Sequence, residues 1–284
     1  MGITIKQADR MKTIKYIAAS LAIIAAASCQ DNIAPENEQE TTTIFKASLE
    51  LETKITLGEK EADGSVPTYW DDTENISIFD DDGTNIKFTG TAEKSNSIEF
   101  SSTKGSFSEN QAYYAAYPYH SGHKFSDGTI TYCYGNVNQI PDENNLPCEM
   151  QDNTDRKLTV ACAYGTKDNL SFHHIYALVK FTITREDVTC VTLVNAASDK
   201  IATDKNFTIS YSDGKFTPTF IDKGTVYLYK DKSKNSTFLP GTYYMAVRPC
   251  ELKVKIKLNN GEYKIGKSAV TLKAGDILNI GTLE

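Results

Sequence analysis

Alternating apolar and polar residues dominate the chain from about residue 43 onward. The segment 251–265, ELKVKIKLNNGEYKI, alternates aliphatic side chains with lysines, a period of two that is typical of a strand with one buried face. The Asn260-Gly261 pair within it favours the positive backbone angles of a tight hairpin turn. The segment IYALVKFTI has the same period and predicts a strand with one apolar face, formed by Ile175, Ala177, Val179, Phe181 and Ile183.

Two other stretches predict hairpins. NFTISYSDGKFTPTF, residues 206–220, holds two short strands joined at Asp213-Gly214, and ISIFDDDGTNIKFTG, residues 76–90, holds a second pair joined at Asp82-Gly83. No long segment has the 3.6-residue period of a helix. Short strands with turn signals every 8–12 residues, roughly, indicate an all-β fold built from sandwiches.

The N-terminus predicts export. Residues 1–28 are expected to be a signal peptide that starts at Met11, because the basic MKTIKY precedes an apolar run that is too short for the roughly 20 residues of a membrane span. The small residues Ala26, Ala27 and Ser28 then precede Cys29. This arrangement resembles a bacterial lipoprotein signal, in which the cysteine becomes the first residue and carries the lipid. Ala26 stands where that signal prefers leucine, and an ordinary cleaved signal is the alternative.

The next residues, 29–43, are expected to form a flexible tether. They carry Asp31, Glu36, Glu38 and Glu40 and no base, and they have almost nothing apolar to bury. The stretch resembles the surface-export signal of Bacteroidota lipoproteins, with a plain solvated linker as the alternative.

The remaining length and charge limit the functions available. Removal of residues 1–28 would leave 256 of the 284 residues, enough for two sandwiches in series, which we place at 44–160 and 161–284. The boundary between the two sandwiches is expected in MQDNTDRK, residues 150–157, or in GTKDN, residues 165–169. The net charge of −7 would become −10, which disfavours nucleic acid as a partner.

Five cysteines follow Cys29: Cys133, Cys148, Cys162, Cys190 and Cys250. An odd number cannot all pair within the chain, and no pair has the C-x-x-C spacing of a zinc or redox site. One or two disulfides are compatible with export, and their pairing stays open. Cys162 shares a face with Leu158 and Val160, which predicts a small buried side chain.

Motifs of catalysis are absent from the sequence, which lacks a nucleophile elbow, an H-E-x-x-H helix and a phosphate-binding glycine loop. Asp80, Asp81 and Asp82 lead into a glycine and favour a hairpin turn over a calcium loop. His173 and His174 are adjacent in a strand, so their side chains are expected on opposite faces. We therefore predict no enzymatic activity, no cofactor and no metal.

Two weaker candidates remain. The loop HSGHKFSD offers His120, His123 and Asp127 within eight residues, but nothing in the sequence fixes their geometry. The segment AYYAAYPYHSG, residues 112–122, holds four tyrosines. Together with Trp70 these rings could stack on sugars or bind a protein, whereas tyrosines in a strand more often pack in the core.

Several stretches together resemble the fimbrillin family of Bacteroidales, the lipoprotein pilins of type V fimbriae and their accessory subunits. These stretches are YWDDTENISIF at 69–79, YYAAYPY at 113–119, LSFHHIYALVKFTIT at 170–184, LPGTYYMAVRP at 239–249 and LKAGDILNIGTL at 272–283. Each is a weak signal alone, and their order is the stronger one. The resemblance implies two transthyretin-like β-sandwich domains in series.

The resemblance also implies a mode of assembly. A protease removes the N-terminal strand of the lipidated precursor, and the open groove accepts a strand from another subunit by donor-strand exchange. The strand concerned would be TIFKASLELETKITL, residues 43–57, with an apolar face that includes Ile44 or Phe45, Leu49 and Leu51. Family members are cut at arginine, but no arginine lies between Arg10 and Arg156. Lys54 occupies the expected position.

The sequence thus predicts a structural subunit of a cell-surface fimbria with a role in adhesion, held to the outer membrane through lipid on Cys29 and partnered by other fimbrial subunits. If Lys54 is not cut, the chain would be an anchor or terminal subunit. The alternative is a monomeric surface lipoprotein that captures glycans for uptake.

Overall fold

The structure is a computed structural model that describes residues 41–49, 56–57, 68–133, 135–150, 156–197, 199–203, 206–259, 261, 264–266 and 268–284. These residues form β-strands and no helix, which confirms the all-β prediction. The described part of the chain accordingly holds no helix with the length and apolar character of a membrane span.

The strands are short and follow one another closely. In the first half they are β1 Thr43–Leu49, β2 Thr56–Leu57, β3 Thr68–Phe79, β4 Asn85–Ser95, β5 Ser97–Ser102, β6 Tyr113–Tyr117, β7 Lys124–Ser126, β8 Thr129–Tyr132, β9 Asn138–Pro141, β10 Pro147–Glu149, β11 Arg156–Lys157, β12 Ala161–Gly165 and β13 Leu170–His174. In the second half they are β14 Ala177–Ile183, β15 Cys190–Asn195, β16 Ala202–Thr203, β17 Phe207–Ser212, β18 Lys215–Thr219, β19 Asp222–Lys223, β20 Thr225–Tyr229, β21 Gly241–Val247, β22 Cys250–Leu252, β23 Val254–Leu258, β24 Lys264–Ile265, β25 Val270–Leu272 and β26 Ile277–Leu283.

The first large sheet closes on itself. Its order is β2-β3-β4-β5-β1-β13-β12-β6, and β3 pairs with β6 as well as with β4. The seven strands other than β2 therefore form a closed ring. Gly90 lets β4 run close to β5, because a Cβ at that position would lie 2.7 Å from the Glu99 carbonyl oxygen. The alternating inward side chains of this ring make an aromatic core that includes Phe45, Trp70 and Phe100.

A second core lies in the C-terminal half. A three-stranded sheet of order β21-β14-β26 and a seven-stranded sheet of order β11-β10-β9-β20-β15-β23-β24 both contribute to it. Alternate residues of β14, such as Val179 and Phe181, meet alternate residues of β15, such as Leu193, in one buried cluster. Two apolar faces packed in this way are the usual layering of a β-sandwich, here with one parallel pair in each sheet.

A third core joins the two halves. It combines Cys162 from β12 and Leu178 from β14 with Tyr132 and Phe207, which belong to a four-stranded sheet of order β18-β17-β8-β7. Because Leu178 lies on the face of β14 opposite to Val179 and Phe181 and is also buried, β14 contributes to two cores at once. By their contacts the described residues make one compact unit, and the domains 44–160 and 161–284 stay a prediction. The structure places β12 and β13 in the closed ring beside β6 and β1.

Two buried side-chain amides fasten the edge strand β21. Gln139 donates from Nε2 to the Ala246 carbonyl oxygen at 2.7 Å, and its Oε1 accepts the Ala246 N–H at 2.9 Å. Asn136 donates to the same carbonyl at 2.9 Å and accepts the Thr203 N–H at 2.7 Å. The Gln139 amide therefore takes the place of a neighbouring strand, which keeps the backbone of Ala246 satisfied where it is buried.

Most local predictions are confirmed. β17 and β18 meet at Asp213-Gly214 with φ angles of 52° and 77°, and β3 and β4 meet at a turn in which the Gly83 N–H donates to the Asp80 carbonyl oxygen at 2.9 Å. One prediction is wrong in detail. Ile175 does not continue the apolar face of β14. It lies in the short link between the end of β13 and the start of β14, and its side chain packs into the third core.

Candidate functional site

The N-terminal strand β1 is an interior member of the closed ring. Phe45, Ala47 and Leu49 are buried in the aromatic core, whereas Ile44 is 46% exposed. The sequence left Ile44 and Phe45 as alternatives for the buried face, and the structure selects Phe45. The side chains that β1 turns into the core are therefore large, small and large in order along the strand.

Both edges of β1 are paired. On one side it runs antiparallel to β5, from Thr43 opposite Ser102 to Ser48 opposite Ser97. On the other side it runs parallel to β13, with Ala47 opposite Leu170 and the pairing continuing for two more positions. A strand hydrogen-bonded on both edges and buried on one face contributes to the core and to the closure of the ring. Its removal would open the ring between β5 and β13.

The largest side chain of β1 sits in a nest of aromatic rings. The Phe45 ring lies edge-on to Phe88, Phe107 and Tyr113, with ring centroids 5.3, 5.4 and 5.6 Å away. Edge-to-face contacts at these separations are favourable. Phe45 is therefore the principal apolar anchor of β1.

Polar contacts hold the far side of this nest. The Tyr113 hydroxyl donates to Asp81 Oδ1 at 2.7 Å, and the Ser108 hydroxyl donates to Asp81 Oδ2 at 2.7 Å. The hydrogen bonds from Ser108 and then Tyr113 hold the pKa of Asp81 below its usual range. Burial, and then the Asp81 carboxylate, raise the pKa of Tyr113. Asp81 thus supports the aromatic nest, and the turn expected at Asp80, Asp81 and Asp82 is present.

Two predicted sites, Cys29 and Lys54, lie outside the described residues. The lipidation of Cys29 and the processing at Lys54 therefore stay predictions. Leu51, expected on the buried face of the N-terminal strand, also lies outside them.

The aromatic residues of 112–122 divide between core and surface. Tyr113 and Tyr117 of β6 are buried, as is Trp70, so these three rings cannot stack on a sugar. On the other face of β6, the Tyr114 ring lies 4.6 Å from Tyr164, which in turn lies 4.6 Å from Tyr211. Tyr164 is 37% exposed. We call Tyr114, Tyr164 and Tyr211 the tyrosine patch.

The four histidines fall into two pairs. His173 and His174 point to opposite faces of β13, as predicted: His173 lies 5.4 Å from the Phe216 ring, and buried His174 has Nδ1 3.3 Å from the Val160 carbonyl oxygen. His120 and His123 come together with Cys133, and the ligand atoms of these three lie within 4.8 Å of one another. Asp127, the third ligand considered from sequence, is exposed in the turn between β7 and β8 and accepts a hydrogen bond from Ser126 instead.

Sequence reasoning missed Cys133, which lies thirteen positions from His120. The signal that could have found it is Asp127-Gly128, the turn of the β7–β8 hairpin that brings Cys133 back beside the histidines. No disulfide joins cysteines within the described residues. Cys162 is buried in the third core, as predicted, and burial raises its pKa well above the usual thiol value.

Comparison with known proteins gives structural similarity only. Neither protein-family profiles nor curated sequences match the chain. A candidate cell adhesion protein from Bacteroides uniformis has 16% identity and a TM-score of 0.46, over 87% of this chain and 94% of that one. A candidate cell adhesion protein from Bacteroides ovatus has 13% identity and a TM-score of 0.45, over 85% and 91%. The fimbrial anchor protein Mfa2 from Porphyromonas gingivalis has 7% identity and a TM-score of 0.26, over 76% and 78%.

Proposed function

We propose that this chain is a structural subunit of a cell-surface fimbria, built from two transthyretin-like sandwiches and assembled by β-strand addition. In this proposal Cys29 carries the lipid that holds the precursor to the outer membrane, and a protease cuts at Lys54. Loss of β1 then opens a groove between β5 and β13 that another subunit fills with a strand of its own. The role is adhesive and structural, with no catalytic step.

One observation carries the proposal: β1, the strand that ends just before the predicted cleavage site, is an interior member of the closed ring. β1 brings Phe45, Ala47 and Leu49 into the core and is paired on both edges. Without it, the facing edges of β5 and β13 would lose the hydrogen-bond partners of their backbone N–H and C=O groups. Each such group that water cannot reach would destabilise the subunit by about 1–3 kcal/mol. A donor strand with the same large, small, large series would satisfy them and refill the core.

The test compares two lengths of the same chain. A chain that begins at Gln30 keeps β1 and is expected to be monomeric in analytical ultracentrifugation. A chain that begins at Ile55 lacks β1 and is expected to form oligomers or filaments. If the shortened chain is a stable monomer with its core intact, strand addition through this groove is wrong.

A peptide arm makes the test specific. A synthetic peptide of residues 43–49 should bind the shortened chain and hold it monomeric, because it restores the missing strand. A matched peptide with serine at the Phe45 and Leu49 positions keeps the backbone and loses both large anchors, so it should not bind. Equal binding of the two peptides would show that the groove does not select for the series in β1.

The anchor and the processing site have separate tests on cells. Cys29→Ala should release the protein from the membrane fraction, and unchanged retention would refute lipidation at that residue. Lys54→Ala should leave surface protein with its N-terminal strand, read by N-terminal sequencing. If unaltered surface protein already begins at Cys29, the chain keeps β1 and an anchor or terminal subunit becomes the better proposal.

The tyrosine patch supports a second candidate, the capture of glycans. Its three rings lie close together and Tyr164 is exposed, which suits stacking on sugar rings. Tyr164→Ala should then abolish binding on a glycan array and leave the oligomeric state unchanged. An array that shows no binding by the unaltered chain would remove this candidate.

A further inference from the structure

A cluster of two histidines and one cysteine lies where the closed ring meets the four-stranded sheet. We call His120, His123 and Cys133 the His–Cys cluster. Its ligand atoms lie within 4.8 Å of one another, and Cys133 Sγ is 2.8 Å from His120 Nδ1. His123 is buried, while His120 and Cys133 are half-buried, so a small ion could reach the cluster from one side.

The backbone holds the three side chains together. The His123 N–H donates to the His120 carbonyl oxygen at 3.1 Å, which closes the turn between them. From the start of β4, Asn85 Nδ2 donates to the carbonyl oxygens of His120 and His123 at 2.8 and 3.3 Å. Cys133 directly follows β8, and the ring of Tyr132 lies 4.6 Å from that of His123. The cluster is thus fixed by three separate segments rather than by one flexible loop.

Hydrogen bonds orient the lone pairs of both imidazoles. His123 Nε2 lies 3.2 Å from the Pro118 carbonyl oxygen, and because a carbonyl can only accept, Nε2–H is the donor. The neutral His123 ring therefore has its lone pair on Nδ1. The Gly122 N–H donates to His120 Nδ1 at 2.9 Å, so that ring also has its lone pair on Nδ1, 2.8 Å from Cys133 Sγ. An ion bound at His120 Nδ1 would replace the Gly122 N–H as the partner of that lone pair. Metal-binding histidines commonly donate their other ring N–H to a backbone carbonyl, as His123 does.

Gly122 leaves the space that the cluster occupies. A Cβ on Gly122 would lie 3.0 Å from His120 Nδ1 and 3.1 Å from Cys133 Sγ. Both distances are tighter than ordinary contacts, so a larger residue would press on the two atoms that face each other.

We propose that the His–Cys cluster binds Zn²⁺ through two imidazole nitrogens and one thiolate. Zinc takes this ligand set, with Zn–S near 2.3 Å and Zn–N near 2.0–2.1 Å, so ligand atoms in a tetrahedral site would be roughly 3.5 Å apart. Cys133 Sγ and His120 Nδ1, now 2.8 Å apart, would have to separate slightly, and any ligand pair near the 4.8 Å limit would have to move closer. The thiol of Cys133 gives its proton to solvent as the Zn–S bond forms, so binding releases one proton. The cluster contains no carboxylate, which disfavours Ca²⁺ and Mg²⁺, and its three ligands leave a fourth position for water or another group.

Bound zinc would join the turn after β6 to the end of β8. These segments belong to the closed ring and to the four-stranded sheet, respectively. The ion would therefore stabilise the meeting of the two sheets, and an ion that binds only the folded state raises the unfolding temperature. This role is independent of strand addition.

The experiment uses the full chain, reduced and stripped of metal with a chelator. Calorimetric titration with Zn²⁺ is expected to show one ion bound per chain, with release of a proton. Co²⁺ in place of Zn²⁺ should give the near-ultraviolet charge-transfer absorption of a thiolate ligand. No Zn²⁺ binding, or a Co²⁺ spectrum without thiolate absorption, would overturn the proposal.

Variants locate the site. Cys133→Ser and His120→Ala should each weaken Zn²⁺ binding by more than the about 10- to 100-fold typical of a lost outer partner. Cys190→Ser and His173→Asn change the same residue types elsewhere and should bind as the unaltered chain does. Binding that survives Cys133→Ser unchanged would refute the site.

A third variant keeps all the ligands. Gly122→Ala should lower the affinity for Zn²⁺ by crowding His120 and Cys133. Each variant is first checked for its metal-free unfolding temperature, and the rise in that temperature on adding Zn²⁺ is then compared. An equal rise in the unaltered chain and in Cys133→Ser would also refute the proposal.

Discussion

Phe45→Ala tests how strongly β1 is held in the closed ring. Phe45 has no exposed surface, and its ring meets three aromatic rings at centroid separations of 5.3–5.6 Å. Replacing a buried phenylalanine with alanine costs about 3–5 kcal/mol, because the lost transfer free energy adds to the cost of a cavity. The loss of three edge-to-face contacts, each worth about 0.5–1.5 kcal/mol, places the expected cost near the upper end, at about 4–5 kcal/mol.

That cost is large against the stability of a typical protein. Folded proteins are stable by about 5–15 kcal/mol, so the variant should lose about a quarter or more of that free energy. At about 2–4 °C per kcal/mol for a domain of 150–250 residues, the unfolding temperature should fall by roughly 8–20 °C.

The assay has an internal probe and a matched control. Trp70 is the only tryptophan and is buried in the same core as Phe45, so its fluorescence during urea unfolding reports on the closed ring. Ile44→Ala alters the neighbouring residue on the same strand, but Ile44 points outward and is 46% exposed. Its cost should stay within about 0.5 kcal/mol.

The comparison can refute the reasoning in two ways. If Ile44→Ala costs as much as Phe45→Ala, the two faces of β1 are not distinguished as the structure places them. If Phe45→Ala costs less than about 1 kcal/mol, β1 contributes little to the ring. Its removal could then not create the groove on which the proposed assembly depends.

Three other predictions concern polar groups. Lys157→Met removes the ammonium 3.2 Å from Glu74, whose side chain is only 6% exposed, and should lower the free energy of unfolding by about 1–3 kcal/mol. Adding Glu74→Gln to that variant should recover part of this loss in urea unfolding, and no recovery would argue against the ion pair. Gln139→Leu leaves the buried backbone of Ala246 without the Gln139 amide and should cost about 1–3 kcal/mol by thermal unfolding, while a neutral result would show that water replaces it. Burial raises the pKa of Asp142, so its contribution to stability is full below its unfolded pKa and is lost as pH rises through its folded pKa. Asp142→Asn, which keeps an oxygen acceptor for the two backbone N–H groups that Asp142 binds, should therefore gain stability relative to the unaltered chain at pH 7, and that gain should vanish near pH 3; a loss at pH 7 would contradict this sign.

Local features of the fold could be predicted because each depends on neighbouring residues. The alternation in IYALVKFTI gave the buried face of β14, and Asp213-Gly214 gave the turn between β17 and β18. The closure of the first sheet could not be predicted. The pairing of β1 with β13 is parallel and joins residues more than 120 positions apart, and a parallel pair has no hairpin signal in the sequence.

The same limit applies to the candidate sites. The sequence identified the stretch that contains β1, but alternation alone could not decide between Ile44 and Phe45, because two adjacent apolar residues fit either face. It singled out His120 and His123 but paired them with Asp127, the nearest acidic residue along the chain. Cys133 replaces Asp127 because β7 and β8 form a hairpin around Asp127-Gly128, which turns Asp127 outward and brings Cys133 back beside the histidines.

The placement of β1 constrains how strand addition would proceed if Lys54 is cut. Cleavage after residue 54 breaks a covalent bond outside β1, and every contact that holds β1 remains: the Phe45 nest and the pairing with β5 and β13. A strand bound this well would leave slowly by itself. The cut makes loss of β1 irreversible once it has diffused away, but it does not by itself empty the groove. The incoming strand must therefore displace β1 step by step, beginning where the contacts are weakest. The small side chain of Ala47 lies between Phe45 and Leu49, so the displacement has two parts, the replacement of Leu49 and the replacement of Phe45.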